Sequence, residues 1–115
     1  IPLMPVSLQL GGLVVCRGSN SHPGFAKIRD TYGKLDLDEG DVGGTGWFTE
    51  DPDEVLSFGG RWETSEYAAG DVVFFTMHTF HGSSVNCTDR WRLSLDLRAR
   101  PVGEPLREGC RTGRW

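Results

Sequence analysis

Residues Gly70 to Arg92 read G-D-V-V-F-F-T-M-H-T-F-H-G-S-S-V-N-C-T-D-R-W-R, and the folding of this stretch decides the folding of the chain. Gly70-Asp71 is a turn pair. Val72 to Phe75 is a continuous apolar run of β-favouring residues, the pattern of a strand buried on both faces. The run leads to His81 and the small residues Gly82-Ser83-Ser84, and a polar segment with Asn86 and Asp89 follows. A second strand is expected from Arg92. There Arg92, Ser94, Asp96 and Arg98 alternate with Leu93, Leu95 and Leu97, so one face is polar and the other apolar. A histidine ending one strand and an arginine opening the next can then look into a common interior.

An interior lined by His and Arg is costly unless those groups bind something, because unpaired charge away from water is strongly unfavourable. The stretch resembles the C-terminal signature of the phytanoyl-CoA dioxygenase family of iron(II)- and 2-oxoglutarate-dependent oxygenases, approximately G-D-x-x-x-F, then H-G-S, N and R. Its counterparts here are Gly70-Asp71-Val72-Val73-Phe74-Phe75, His81-Gly82-Ser83, Asn86 and Arg92. The resemblance implies that His81 is the distal iron ligand and that Arg92 holds the far carboxylate of 2-oxoglutarate. Arginine suits that role because its planar fork makes paired, charge-assisted bonds to a carboxylate. Ser94, on the same strand face as Arg92, offers a second hydrogen bond to the co-substrate, and Asn86 is expected to fix the loop between them. No further catalytic residue is assigned.

The resemblance runs from about Gly12 to Arg100, with departures. Where the family has P-G-S-H, this chain has Arg17-Gly18-Ser19-Asn20. The family's first histidine and carboxylate form an H-x-D or H-x-E pair, completing a facial triad that leaves iron positions open for co-substrate and oxygen. Here the residues two positions after His22, His78 and His81 are Gly24, Phe80 and Ser83. The chain also opens Ile1-Pro2-Leu3 without Met. The expectation is a C-terminal half of a catalytic domain whose preceding part supplies the other ligands; a degenerate domain without iron is the alternative.

Composition agrees with a mainly β chain. In 115 residues there are 16 glycines, and short runs of β-branched and aromatic residues lie between Gly-rich breaks. The length allows a single domain. The resemblance makes it part of a double-stranded β-helix, a cupin-like jelly-roll, with one or two short helices. Within the single domain 1–115, residues 33–69 read as an irregular connection or lid and residues 101–115 as a C-terminal tail. Pro5 to Leu10 and Leu13 to Cys16 are expected strands, separated by Gly11-Gly12. Phe25, Ile28 and Tyr32 stand at helical spacing. Asp51-Pro52-Asp53-Glu54 is a helix start, with a capping Asp, a first-turn Pro and acids against the dipole; that helix should end before Gly59-Gly60.

Lys34 to Gly46 is rich in Asp and Gly and reads as a loop. Asp36-x-Asp38-x-Gly40 echoes a calcium loop, but Asp41 and Trp47 occupy the positions where Gly and Glu are needed. Trp47, Phe48, Trp62 and Tyr67 can belong to a lid or close a small core.

The net charge of −4 is unevenly spread. From Asp30 to Glu54 nine acids face one base, and from Arg90 onward seven arginines face three acids. Without interleaved aromatics the basic tail does not read as a nucleic-acid surface. The three cysteines, Cys16, Cys87 and Cys110, form no C-x-x-C pair and support neither zinc nor a disulfide framework. No apolar run is long enough to span a bilayer, and Gly113-Arg114-Trp115 is not a peroxisomal address. The default expectation is a reducing, cytoplasmic setting.

By resemblance the function is that of a dioxygenase using iron(II), 2-oxoglutarate and dioxygen to hydroxylate a small organic or acyl substrate. A non-catalytic jelly-roll binding a small carboxylate or sugar, or a structural and interaction domain, stands as the alternative.

Overall fold

The computed structural model describes residues 1–32, 48–99 and 101–103. The described residues form a small antiparallel sheet of three strands, in the order β2-β1-β3. β1 is Leu13–Arg17, β2 is Arg61–Glu63 and β3 is His81–Ser83. Val15 lies opposite Glu63 on one side and His81 on the other, while Cys16 faces Trp62, Arg17 faces Arg61, Leu13 faces Ser83 and Val14 faces Gly82. Directly opposed residues share a face, and alternate residues along a strand do too. One face therefore carries Leu13, Val15, Arg17, Arg61, Glu63, His81 and Ser83, and the other carries Val14, Cys16, Trp62 and Gly82.

The second face rests on the core. Cys16, Phe25 and Val55 are buried, with Ile28, Phe58, Trp62 and Phe80 packed around them. Phe25 sits between Phe58 and Phe80, at ring-centroid separations of 5.4 and 5.6 Å. Helix α1, Ala26–Tyr32, follows a 3-10 turn at Pro23–Phe25 whose amide at Gly24 is capped by the His22 ring. Helix α2, Pro52–Leu56, starts on Asp51, whose carboxylate accepts from the Asp53 amide at 2.9 Å. Trp62 ties β2 to α2 by donating its indole N–H to the Pro52 carbonyl. Ser19 is fully buried, donates to the Cys16 carbonyl and accepts from the Phe80 amide, so the end of β1 and the approach to β3 are joined through one hydroxyl.

Both expected helices form, and so does the turn at Gly70-Asp71: Gly70 has φ +89° and the Asp71 carboxylate accepts from the Ala68 amide. α2 and β2 lie inside the 33–69 connection. Gly11, at φ +74°, is also required by close approach, since a Cβ there would lie 2.5 Å from the Ser84 carbonyl oxygen. The Lys34 to Gly46 loop, Trp47, Cys110 and most of the tail fall outside the described residues.

Three expected strands differ from the structure. Val72 to Phe75 belongs to no ladder, and its side chains are exposed instead of buried on both faces. β propensity records how well a residue fits a paired, packed surface, and among the described residues no strand pairs with this run. Pro5 to Leu10 keeps one bridge, Val6 to Tyr67, then turns as Ser7 accepts from the Leu10 amide through both its carbonyl and its hydroxyl. Arg92 to Arg98 is bridged only at Ser94, opposite Pro2. With so short a partner its leucines stay in solvent, Leu93 at 60% and Leu97 at 73% exposure.

Candidate functional site

The face of the sheet turned away from the core gathers the polar groups. His81 starts β3 with its ring exposed and tilted against Phe75, centroids 4.6 Å apart. Its Nδ1 lies 2.9 Å from the Thr79 carbonyl oxygen. A carbonyl only accepts, so Nδ1 carries the proton and Nε2 presents a lone pair. That is the state in which a histidine binds a metal, with its second nitrogen oriented by a backbone carbonyl.

Arg92 reaches β3 as well. Its Nη2 donates to the Ser83 hydroxyl at 3.0 Å, and Ser83 is two residues from His81 on the same strand face. The guanidinium is thereby brought to the imidazole's side of the sheet. The loop between them is closed by Asn86, whose Nδ2 donates to the Arg90 carbonyl at 2.7 Å while its Oδ1 accepts from the Thr88 amide and hydroxyl. Ser94 lies two residues beyond Arg92, exposed, with its backbone bridged to Pro2.

The other histidines have different positions. His22 caps the turn before α1 and lies edge-on to Phe25. His78 is half-buried, and its Nδ1 is enclosed without a hydrogen-bond partner.

The same face holds a charge cluster that the sequence does not announce. A single oxygen of Glu63, Oε1, pairs with Arg61 and, at 3.4 Å, with Arg17. The Arg61 hydrogen bond, with Arg17 assisting, holds the Glu63 carboxyl below its ordinary value. Arg17 and Glu63 also line a cavity of about 310 Å³, together with Val15, Asn20, Phe74 and Phe75. Alternation along β1 marks Val15 and Arg17 as neighbours, but only the cross-strand register, with Val15 between Glu63 and His81, brings the cluster beside the histidine.

Among the described residues no group of three His, Cys, Asp or Glu side chains can hold a metal ion. His81 fits as one ligand; a complete shell needs donors from elsewhere. No described helix is long and apolar enough to cross a membrane.

A model of the phytanoyl-CoA dioxygenase family matches residues 1–94, an interval that includes His81, Arg92 and Ser94. No curated protein and no solved structure matches the chain.

Proposed function

The chain belongs to the phytanoyl-CoA dioxygenase family, and from that premise we propose that it is the C-terminal part of a jelly-roll dioxygenase that hydroxylates a small organic or acyl substrate. The family generally depends on iron(II) and 2-oxoglutarate. The observation that carries the reading is the hydrogen bond from Arg92 to Ser83, which draws the guanidinium to the face of β3 where His81 keeps Nε2 free of its carbonyl contact.

In this reading His81 Nε2 is one iron ligand, and the remaining ligands come from a preceding segment of the same domain. Bound iron(II) with 2-oxoglutarate supplies the activation of dioxygen needed to hydroxylate a C–H bond. Arg92 pairs its fork with the far carboxylate of 2-oxoglutarate, where charge-assisted bonds are strongest and most directional. Ser83 orients that fork, and Ser94 adds a second hydroxyl from the same strand. The Thr79 carbonyl holds Nδ1–H and so selects the tautomer whose Nε2 is the ligand nitrogen.

Calorimetric titration with 2-oxoglutarate of the polypeptide extended to include the preceding segment that supplies the other ligands, with and without ferrous iron under anaerobic conditions, tests this. Binding that strengthens with iron, falls at least about tenfold in Arg92→Ala and loses its iron dependence in His81→Ala is expected. Iron-independent binding abolished by Arg92→Ala favours the second reading, a non-catalytic carboxylate-binding jelly-roll. No binding under any condition, with both variants only less stable, leaves a structural domain.

A further inference from the structure

We propose that Arg17 is the substrate-recognition residue of this face, and that the substrate is a small organic anion, a carboxylate on an apolar and preferably aromatic body. This rests on the dioxygenase reading and names the kind of molecule it acts on.

The cavity beside His81 has walls of two chemical kinds. Its polar lining includes Arg17, Asn20 and Glu63, and its apolar lining Val15, Phe74 and Phe75. His81 does not line it, but two residues that do are in contact with the histidine: Phe75 lies against the His81 ring, and the Thr79 carbonyl lies 2.9 Å from its Nδ1. A molecule held there can lay its body against the phenyl rings while its anionic end meets Arg17. At about 310 Å³ the cavity is an open depression at the small end of ligand sites, enough to seat a compact acid.

The charge on the polar wall does not cancel. Two guanidiniums share one carboxylate oxygen, which leaves one positive charge in surplus. Arg17 spends a single long contact, 3.4 Å, on Glu63, and its side chain is 69% exposed. Its other donors are available to a second anion. Arg61 pairs with the same Glu63 oxygen, so Arg17 can turn toward a ligand without stranding that carboxylate. Of the two arginines only Arg17 lines the cavity. The apolar lining also gains, since Phe74 is 91% exposed and an aromatic body lying on it removes apolar surface from water.

The test uses phenylacetate and its neutral isostere phenylacetamide as probes, followed by the amide resonances of Val15 and Thr79. Arg17→Gln is compared with Arg61→Gln, which disturbs the same Glu63 pairing without touching the cavity. Phenylacetate is expected to bind about tenfold or more tighter than phenylacetamide, and to lose that advantage in Arg17→Gln but not in Arg61→Gln. Equal binding of acid and amide, or equal losses in the two variants, overturns the proposal. So does a loss of 2-oxoglutarate affinity in Arg17→Gln as large as in Arg92→Ala, which assigns Arg17 to the co-substrate. The two levels separate cleanly. Arg92-dependent 2-oxoglutarate binding without Arg17-dependent phenylacetate binding removes this inference and leaves the dioxygenase reading. The reverse pattern removes that reading and keeps Arg17 as an anion site.

Discussion

At Glu63 the chain concentrates its clearest electrostatic effect, because Arg61 and Arg17 act on one exposed carboxylate. The Arg61 hydrogen bond is the larger cause, so an NMR titration should find the Glu63 midpoint below that of an ordinary glutamate, moving up in Arg61→Ala more than in Arg17→Ala. A depressed folded-state value stabilises the fold above the unfolded value, and this contribution is lost as pH falls through the folded one. Both arginines should therefore be released only below the pH at which an ordinary glutamate titrates, and the group's exposure keeps the stability change small. Cys16 behaves oppositely. Burial pushes its thiol up, outweighing the hydrogen bond at Arg61, so it stays protonated at neutral pH; the stability this represents is lost only as pH rises through the raised value. Alkylation with iodoacetamide and peptide mapping should label exposed Cys87 in the native protein and Cys16 only in denaturant. Rapid native labelling of Cys16 would contradict the core assignment.

At the scale of elements, the approach to β2 is fixed by a glycine that leaves room for sulfur. A Cβ on Gly60 would lie 2.2 Å from Cys16 Sγ and 3.1 Å from the Phe25 ring, both fully buried. Gly60→Ala should cost about 1–3 kcal/mol, as overpacking does in tight cores, seen as a lower urea midpoint with unchanged slope. Asp51→Ala removes the cap of α2 and should cost about 1 kcal/mol by the same measurement. These two substitutions also show what was legible. α2 could be read directly because its start is written in consecutive residues, Asp51 as cap and Pro52 in the first turn. β2 could not, because Arg61-Trp62-Glu63 is too short to show a period and becomes a strand through pairing with β1, 46 positions away at the Arg17–Glu63 contact. The site divides likewise: His81 and Arg92 are visible in a local motif, whereas the Arg17–Glu63 cluster exists only once β1 has chosen its neighbours.

For the whole molecule, the governing feature is how much apolar, strand-forming sequence meets solvent among the described residues. Val72 to Phe75 and Leu93 to Leu97 have the composition and alternation of paired strands, yet Phe74, Leu93, Leu95 and Leu97 are all exposed. The second segment has backbone pairing only to Ile1 and Leu3, through Leu93 and Leu95. Exposed segments of strand-forming sequence template pairing with other chains, and natural edges are usually guarded by lysine, proline or a bulge. The charges here, Arg92, Asp96 and Arg98, sit on the alternate positions and leave the leucine side unguarded. Sedimentation at rising concentration should therefore show reversible self-association of the chain. Leu93→Lys with Leu97→Lys should suppress it while leaving the unfolding free energy from urea titration within about 0.5 kcal/mol of the parent, because neither side chain contributes to the core. Association that persists in the double variant would move the sticky surface to Val72–Phe75, where Val73→Lys provides the matching test. A large loss of stability in the double variant would instead mean that the leucines pack in solution, bringing the Arg92 strand closer to the alternation written in its sequence.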